Sequence, residues 1–141
     1  MARWLDSLQP LGVFCMRLVL GIAMIVHGWG KIAPIGGIHS RDLLSGVHHF
    51  CHFVATLGLP YWLGYISALT EFLGGIFLVF GLLTRLTAFF VAFNMAVALL
   101  FVNIHQGYHG SEYTLALIAL ALMILFYGPG TGAMDHRLGL D

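Results

Sequence analysis

Four long apolar runs divide this sequence. They cover residues 11–32, 61–83, 86–104 and 113–127. A helix that crosses a bilayer needs about 20 mostly apolar residues. The first three runs are long enough, and the fourth extends to Glu112 and Gly128. The runs predict an all-α integral membrane protein, a four-helix bundle forming a single domain over residues 1–141, with spans near 11–32, 61–83, 86–104 and 112–127.

The composition agrees with a lipid solvent. Hydrophobic residues make up 60% of the chain and charged residues 9%, whereas a soluble domain carries about 25% charged residues. The lipid bilayer is therefore the expected environment. The formal net charge is zero and there is no basic run, which excludes a nucleic-acid partner. The first run is too long for a signal peptide and contains Arg17, so it is read as a retained helix.

The basic residues predict an orientation. An even number of spans places both termini on one side, which then carries Arg3, Arg85 and Arg137. The opposite side carries Lys31 and Arg41. Because cytoplasmic segments are enriched in Lys and Arg, the termini are predicted to be cytoplasmic, in the inner membrane of a prokaryote.

Three polar side chains interrupt the spans at compatible depths. At ~1.5 Å per residue, Arg17 lies roughly 9 Å into its helix, Glu71 about 18 Å and Asn94 about 12 Å. Charges at such depths are costly unless they pair or face a cavity. We therefore expect Arg17 to pair with Glu71. This cluster either fixes helix register or forms a proton or ligand path.

Helical periodicity predicts which face of each span is internal. One face of the second span carries small residues around Glu71, and small residues let transmembrane helices approach closely. Each of the other spans has a similar polar or small stripe. The predicted internal stripes are Arg17, Gly21, Met24, Gly28 and Lys31; Gly64, Ser67, Ala68, Glu71, Gly74 and Gly75; Thr87, Asn94, Ala98, Phe101 and His105; and Glu112, Ala116, Ala119 and Met123.

The segment HHFCH, residues 48–52, lies between the first two spans. As a helix over residues 43–57 with Asp42 as N-cap, it gathers His48, His49 and His52 on one side and apolar residues on the other. This pattern predicts an additional amphipathic helix at the membrane interface. Cys51 lies at the edge of the polar side and is read as a small apolar filler.

The histidines leave two interpretations open. His48 and His52 have the four-residue spacing of two ligands on one helical face, and His105 and His109 repeat it. Glu112 and His27 could complete a set for a transition metal, or a histidine pair could bind haem. The alternative is that histidines simply hydrate the polar face of an interfacial helix.

A quinone is a third candidate ligand. Such a molecule needs an apolar cleft between helices with one or two polar groups. His27 with Lys31, or Glu71 with Asn94, would supply those groups.

The same residues resemble a known family. The sequence RLVLGIAMIVHGWGKI is similar to the first helix of the DoxX family, with Arg17, Gly21, His27, Gly28 and Lys31 in its pattern. The sequence LGLPYWLGYISALTEFLGGIFLVFGLLTRLTA resembles the second helix, and FNMAVAL and the closing GPG also fit. The resemblance covers roughly residues 11–130, but the histidine-rich segment lies outside its pattern.

The resemblance implies a small four-helix protein of the prokaryotic cytoplasmic membrane. Some relatives are linked to redox complexes: DoxD-type proteins form part of a thiosulfate:quinone oxidoreductase, and DoxX proteins are associated with oxidative-stress complexes. We therefore expect a subunit or associate of a membrane redox complex that interacts with quinone or haem.

Two other functions remain open. One is a non-enzymatic accessory or anchoring subunit, with a protein partner or a second copy of the chain. The other is a metal-binding or small transport protein. The sequence assigns no catalytic residue.

Overall fold

A computed structural model describes residues 7–34 and 44–140 of the chain. Its regular elements in this part of the chain are all helical. The helices are α1 (Gln9–Ile32), α2 (Ser45–Thr56), α3 (Trp62–Phe80), α4 (Thr84–Phe101), α5 (Gly107–Tyr127) and α6 (Met134–Leu138), with a 3-10 turn at Asn103–Gln106 before α5. Four are long and apolar enough to cross a bilayer: α1, α3, α4 and the segment Asn103–Tyr127. The predicted fold class, including the extra helix between the first two spans, is confirmed.

The long helices alternate in direction, and α1 packs most extensively on α3 and α4 on α5. The chain returns to the end where it began, since the Thr131 backbone N–H donates to the Pro10 carbonyl over 3.3 Å. We call this the terminal end of the bundle and the other the distal end. Arg3 and Arg41, which enter the predicted orientation, lie outside the described residues. So do Asp42 and Leu43 at the predicted start of the interfacial helix.

Glycines bring α1 and α3 into close contact. A Cβ atom on Gly75 would lie 2.6 Å from the carbonyl oxygen of Gly21 and the backbone nitrogen of Ile25, and one on Gly28 would overlap the backbone of Phe72. This is the close approach expected of a small-residue interface in a membrane. It places the distal half of α1 directly beside the middle of α3.

Helix α2 packs on the start of α3 through its apolar side. Val47, Cys51 and Val54 are buried, while His49 and His52 are exposed. Gly64 makes room for this contact, because a Cβ atom there would lie 2.7 Å from the Cys51 sulfur. Burial raises the pKa of the Cys51 thiol above its ordinary value. The thiol is therefore held in its unreactive neutral form, as the reading of Cys51 as a filler implies.

Helix α5 differs from its prediction in two ways. It begins at Gly107 rather than near Glu112. The Ser111 hydroxyl shares its single proton between the carbonyls of Asn103 and Gly107, at 3.0 and 2.9 Å, and so links the first turn of α5 to the preceding 3-10 turn. The predicted internal stripe of α5 is wrong, since its members Glu112, Ala116, Ala119 and Met123 are all exposed. The internal face carries Ser111, Thr114, Leu117, Ala121 and Ile124. In a helix apolar on nearly every side, periodicity does not mark the internal face.

Candidate functional site

A cavity of about 610 Å³ lies between the helices in the distal half of the bundle. Its walls are mainly apolar and come from all five helices from α1 to α5. Several lining side chains on α4, including Phe90, Phe93 and Phe101, are also exposed on the outer surface. Its polar lining groups are His27, Lys31, Ser67, Thr70, Glu71, Asn94, Asn103, Tyr113 and Thr114.

Glu71 is the centre of the polar wall and is only 1% exposed. Its Oε1 atom accepts hydrogen bonds from Lys31 Nζ over 2.5 Å and from Asn94 Nδ2 over 2.9 Å. Its Oε2 atom is buried and has no hydrogen-bond partner among the described residues. An ionised carboxylate is an acceptor at both oxygens. Half of the hydrogen-bonding capacity of Glu71 is thus unused beside an apolar cavity.

Lys31 connects three elements around this carboxylate. It comes from the last turn of α1, and its ammonium lies 4.3 Å from the centre of the Phe50 ring of α2. A cation over an aromatic face is attracted by the ring quadrupole. The side chain of Lys31 is 23% exposed, so α2 shields this ion pair only in part.

His27 lies one turn before Lys31 and forms a second polar group at the cavity. Its Nε2 atom is 3.1 Å from the Tyr113 hydroxyl of α5, and the two rings are 5.4 Å apart. The sequence predicted His27 and Lys31 as ligand contacts, and both line the cavity together with Glu71 and Asn94. Their role in binding stays a prediction.

Arg17 does not join this cluster, so the predicted pairing of Arg17 with Glu71 is wrong. The side chain is fully buried at the terminal end, where Nη1 donates to the Pro129 carbonyl over 2.6 Å. Nη2 donates to the Gly132 carbonyl over 3.5 Å, and Asp135 is close enough to interact electrostatically. The loop after α5 packs against α1 and supplies these carbonyl acceptors. The cation that pairs with Glu71 is Lys31.

Asp135 is a polar residue of the terminal end that sequence reasoning missed. It is 2% exposed, and its two carboxylate oxygens accept from the backbone N–H groups of Leu83 and Thr84 over 2.6 and 2.8 Å. Leu83 has a left-handed backbone (φ 48°), which is strained for a bulky residue. The signal was present, because Leu83 at the start of α4 cannot act as an N-cap and the orphan N–H groups need an acceptor from elsewhere.

The candidate metal ligands are not brought together. His48 and His52 make edge contacts with Tyr65 and Tyr61, and His109 Nδ1 lies 3.9 Å from Glu112 Oε1 on the exposed start of α5. His105 lies in the 3-10 turn and is exposed. Within residues 7–34 and 44–140, no group of three or more His, Cys, Asp or Glu side chains could hold a metal ion. Haem binding by a histidine pair stays a prediction.

Comparison with known proteins gives consistent matches. A family model described as DoxX matches residues 12–104. The inner membrane protein YqjF of Escherichia coli (strain K12) is 30% identical over 138 residues, which cover 95% of this chain and 97% of that protein. The Bacillus subtilis (strain 168) protein named "Putative oxidoreductase CatD" is 26% identical over 126 residues, covering 89% of this chain and 85% of that protein. No solved structure matches the chain.

Proposed function

This chain belongs to the DoxX family, and we propose that it binds a quinone in the cavity beside Glu71 as part of a membrane redox complex. One observation carries the proposal. Glu71 lines a largely apolar cavity, and its carboxylate oxygen Oε2 is buried without a hydrogen-bond partner among the described residues. An unpartnered acceptor in an apolar site is costly to the protein alone. A ligand with an apolar body and a polar head that donates a hydrogen bond offsets that cost, as the reduced form of a quinone does.

The size and chemistry of the cavity suit this ligand class. Pockets for small organic molecules measure about 300–1,000 Å³ and combine apolar walls with a few polar groups, and the cavity of about 610 Å³ falls in that range. We place its entrance at the exposed aromatic side chains of α4 that line it, which would give access from the bilayer, where long-tailed quinones are dissolved. A quinone ring can thus reach Glu71 and Asn94 while its tail stays among lipids.

The proposed redox role is supported by homology and by the cavity, which suits a quinone. One relative carries the word oxidoreductase in its name. The chain has no G-x-G-x-x-G sequence and no Cys-x-x-Cys pair, so a partner protein would supply or accept the electrons. The outward stripe Glu112, Ala116, Ala119 and Met123 of α5 suits contact with a partner helix, since small residues favour helix association in lipid.

The proposed location is the cytoplasmic membrane of a prokaryote, with the terminal end facing the cytoplasm. A relative is named an inner membrane protein. Arg85 and Arg137 at the terminal end are exposed, and Lys31 lies at the distal end. Among the described residues, Lys and Arg are thus weighted toward the terminal end, as the positive-inside rule requires of the cytoplasmic side.

Filling the cavity is expected to weaken binding. Ser67 lines the cavity, whereas Leu69 on the same helix is exposed on the outer surface. In nanodiscs, Ser67→Trp is expected to weaken the binding of a short-tailed benzoquinone at least about tenfold, which corresponds to about 1.4 kcal/mol. Leu69→Trp is expected to leave the dissociation constant within about twofold, as an outward substitution should.

Equilibrium dialysis against both variants and the unmodified protein measures these constants. Equal affinity for the Ser67→Trp variant and the unmodified protein would place the quinone outside the cavity. No binding to any of the three would leave an accessory, non-binding role in its place.

A further inference from the structure

We infer that the cavity prefers the reduced, hydroxyl-bearing form of its ligand, the quinol, and that Glu71 Oε2 accepts the hydrogen bond from a quinol hydroxyl. This inference rests on the proposed quinone site. It adds which redox form the site recognises and which atom does so.

The hydrogen bonds of Glu71 make its two oxygens different. Oε1 already accepts from Lys31 and Asn94, and the salt bridge with Lys31 balances the charge of the carboxylate. Oε2 is buried and accepts from no described residue. A buried acceptor without a donor loses its hydration and gains nothing in exchange. The missing partner is therefore a hydrogen-bond donor.

Only one redox form of the ligand supplies a donor. A quinol presents two O–H groups, whereas a quinone presents two carbonyl oxygens, which are acceptors only. A quinone carbonyl placed against Oε2 would bring two acceptors together without a proton between them. A hydrogen bond to a charged group stabilises by about 1.5–3 kcal/mol. A hydrogen bond to Oε2 that only the quinol can form is therefore sufficient to favour binding of the quinol over the quinone.

The other cavity groups discriminate less. The hydroxyls of Ser67 and Thr70 line the same cavity and can donate or accept, so they serve either form. Lys31 and Asn94 each donate one N–H to Oε1, and their remaining N–H groups can donate either to a quinone carbonyl or to a quinol oxygen. The preference therefore depends on Glu71.

The test compares two ligands with the same tail. Decylubiquinol and decylubiquinone are titrated anaerobically into the full chain in nanodiscs, with affinity measured by equilibrium dialysis. We expect the quinol to bind at least about tenfold more tightly, the ratio that one charge-assisted hydrogen bond provides. Equal binding, or tighter binding of the quinone, would overturn the inference while leaving the proposed quinone site in place. Binding of neither form would overturn the proposed function itself.

Glu71→Gln assigns the preference to one atom. Glutamine keeps the size of the side chain and one acceptor oxygen, but its amide group donates where Oε2 only accepted. The preference for quinol is expected to fall below about threefold or to reverse. Glu112→Gln makes the same chemical change at an exposed position outside the cavity and should keep the ratio unchanged. An unchanged ratio in the Glu71→Gln variant would contradict the assignment to Oε2.

A second probe avoids any dependence on the variant's folding. The dimethyl ether of decylubiquinol keeps the reduced ring and the tail but has no O–H group. It is expected to bind the unmodified protein no more tightly than the quinone does. Binding as tight as that of the quinol would show that shape rather than hydrogen-bond donation determines the preference.

Discussion

Replacing Glu71 with alanine is expected to destabilise the folded protein by about 3 kcal/mol, at the lower end of the range for breaking a buried ion pair. The substitution leaves Lys31 without its counter-charge and Asn94 without its acceptor. The lower end applies because the Lys31 side chain is 23% exposed and can recover part of its hydration. The free energy of unfolding is measured by titrating SDS into mixed micelles of the purified protein.

Two comparisons make this prediction specific. Glu112→Ala removes an exposed carboxylate and should change stability by less than about 0.5 kcal/mol. The double variant Glu71→Ala/Lys31→Met should recover part of the loss, because no unpaired charge remains near the cavity. Glu71→Ala and Arg17→Met should instead be additive, since they belong to separate clusters. Coupling of Glu71 to Arg17 but not to Lys31 would contradict the structure.

Replacing Asp135 with alanine is expected to cost a similar amount at the opposite end of the bundle. The variant loses an N-cap, which stabilises by about 0.5–2 kcal/mol, and the electrostatic interaction of Asp135 with the buried Arg17. The total is expected to be about 3 kcal/mol, at the lower end of the range for breaking a buried ion pair, because Arg17 and Asp135 interact without a salt bridge. The backbone N–H groups of Leu83 and Thr84 would lose both carboxylate acceptors. The strained backbone of Leu83 would then lack the contact that holds it.

The same SDS titration measures this effect, with Arg137→Ala as the control because Arg137 is exposed on the same short helix. Asp135→Asn keeps one acceptor oxygen and should fall between the alanine variant and the control. Quinone affinity should be unchanged in Asp135→Asn, since Asp135 lies outside the cavity. A loss no larger than that of Arg137→Ala would show that the C-terminal segment does not stabilise the bundle.

The helices of this protein could be predicted because their signals are local. Each apolar run is long enough to span a bilayer, and the glycines of α1 and α3 mark the faces that meet. Glu71 and Asn94 were correctly expected at similar depth, and they are hydrogen-bonded in the structure. These features follow from hydropathy and helical periodicity, which need no knowledge of the other helices.

The choice of partners could not be predicted, because it depends on how the helices are arranged. Depth alone is compatible with an ion pair between Arg17 and Glu71, and Lys31 is assigned to the end of the first span as a possible ligand contact and not as the partner of Glu71. The last turn of α1 instead carries Lys31 to Glu71, while Arg17 is satisfied by carbonyls more than 100 residues away in sequence. The cap by Asp135 is likewise non-local. The internal face of α5 was hidden because the helix lacks a distinct polar side.

Photolabelling tests the central claim, that a quinone occupies the cavity beside Glu71, most directly. A quinone with an azido group on its ring is irradiated with the full chain in nanodiscs, and the labelled peptides are identified by mass spectrometry. We expect labels on the cavity side of α3 and α4, around Ser67, Thr70 and Asn94, and we expect excess decylubiquinol or the Ser67→Trp substitution to remove them. Labels spread over outward residues such as Leu69, and insensitive to competitor, would contradict the account.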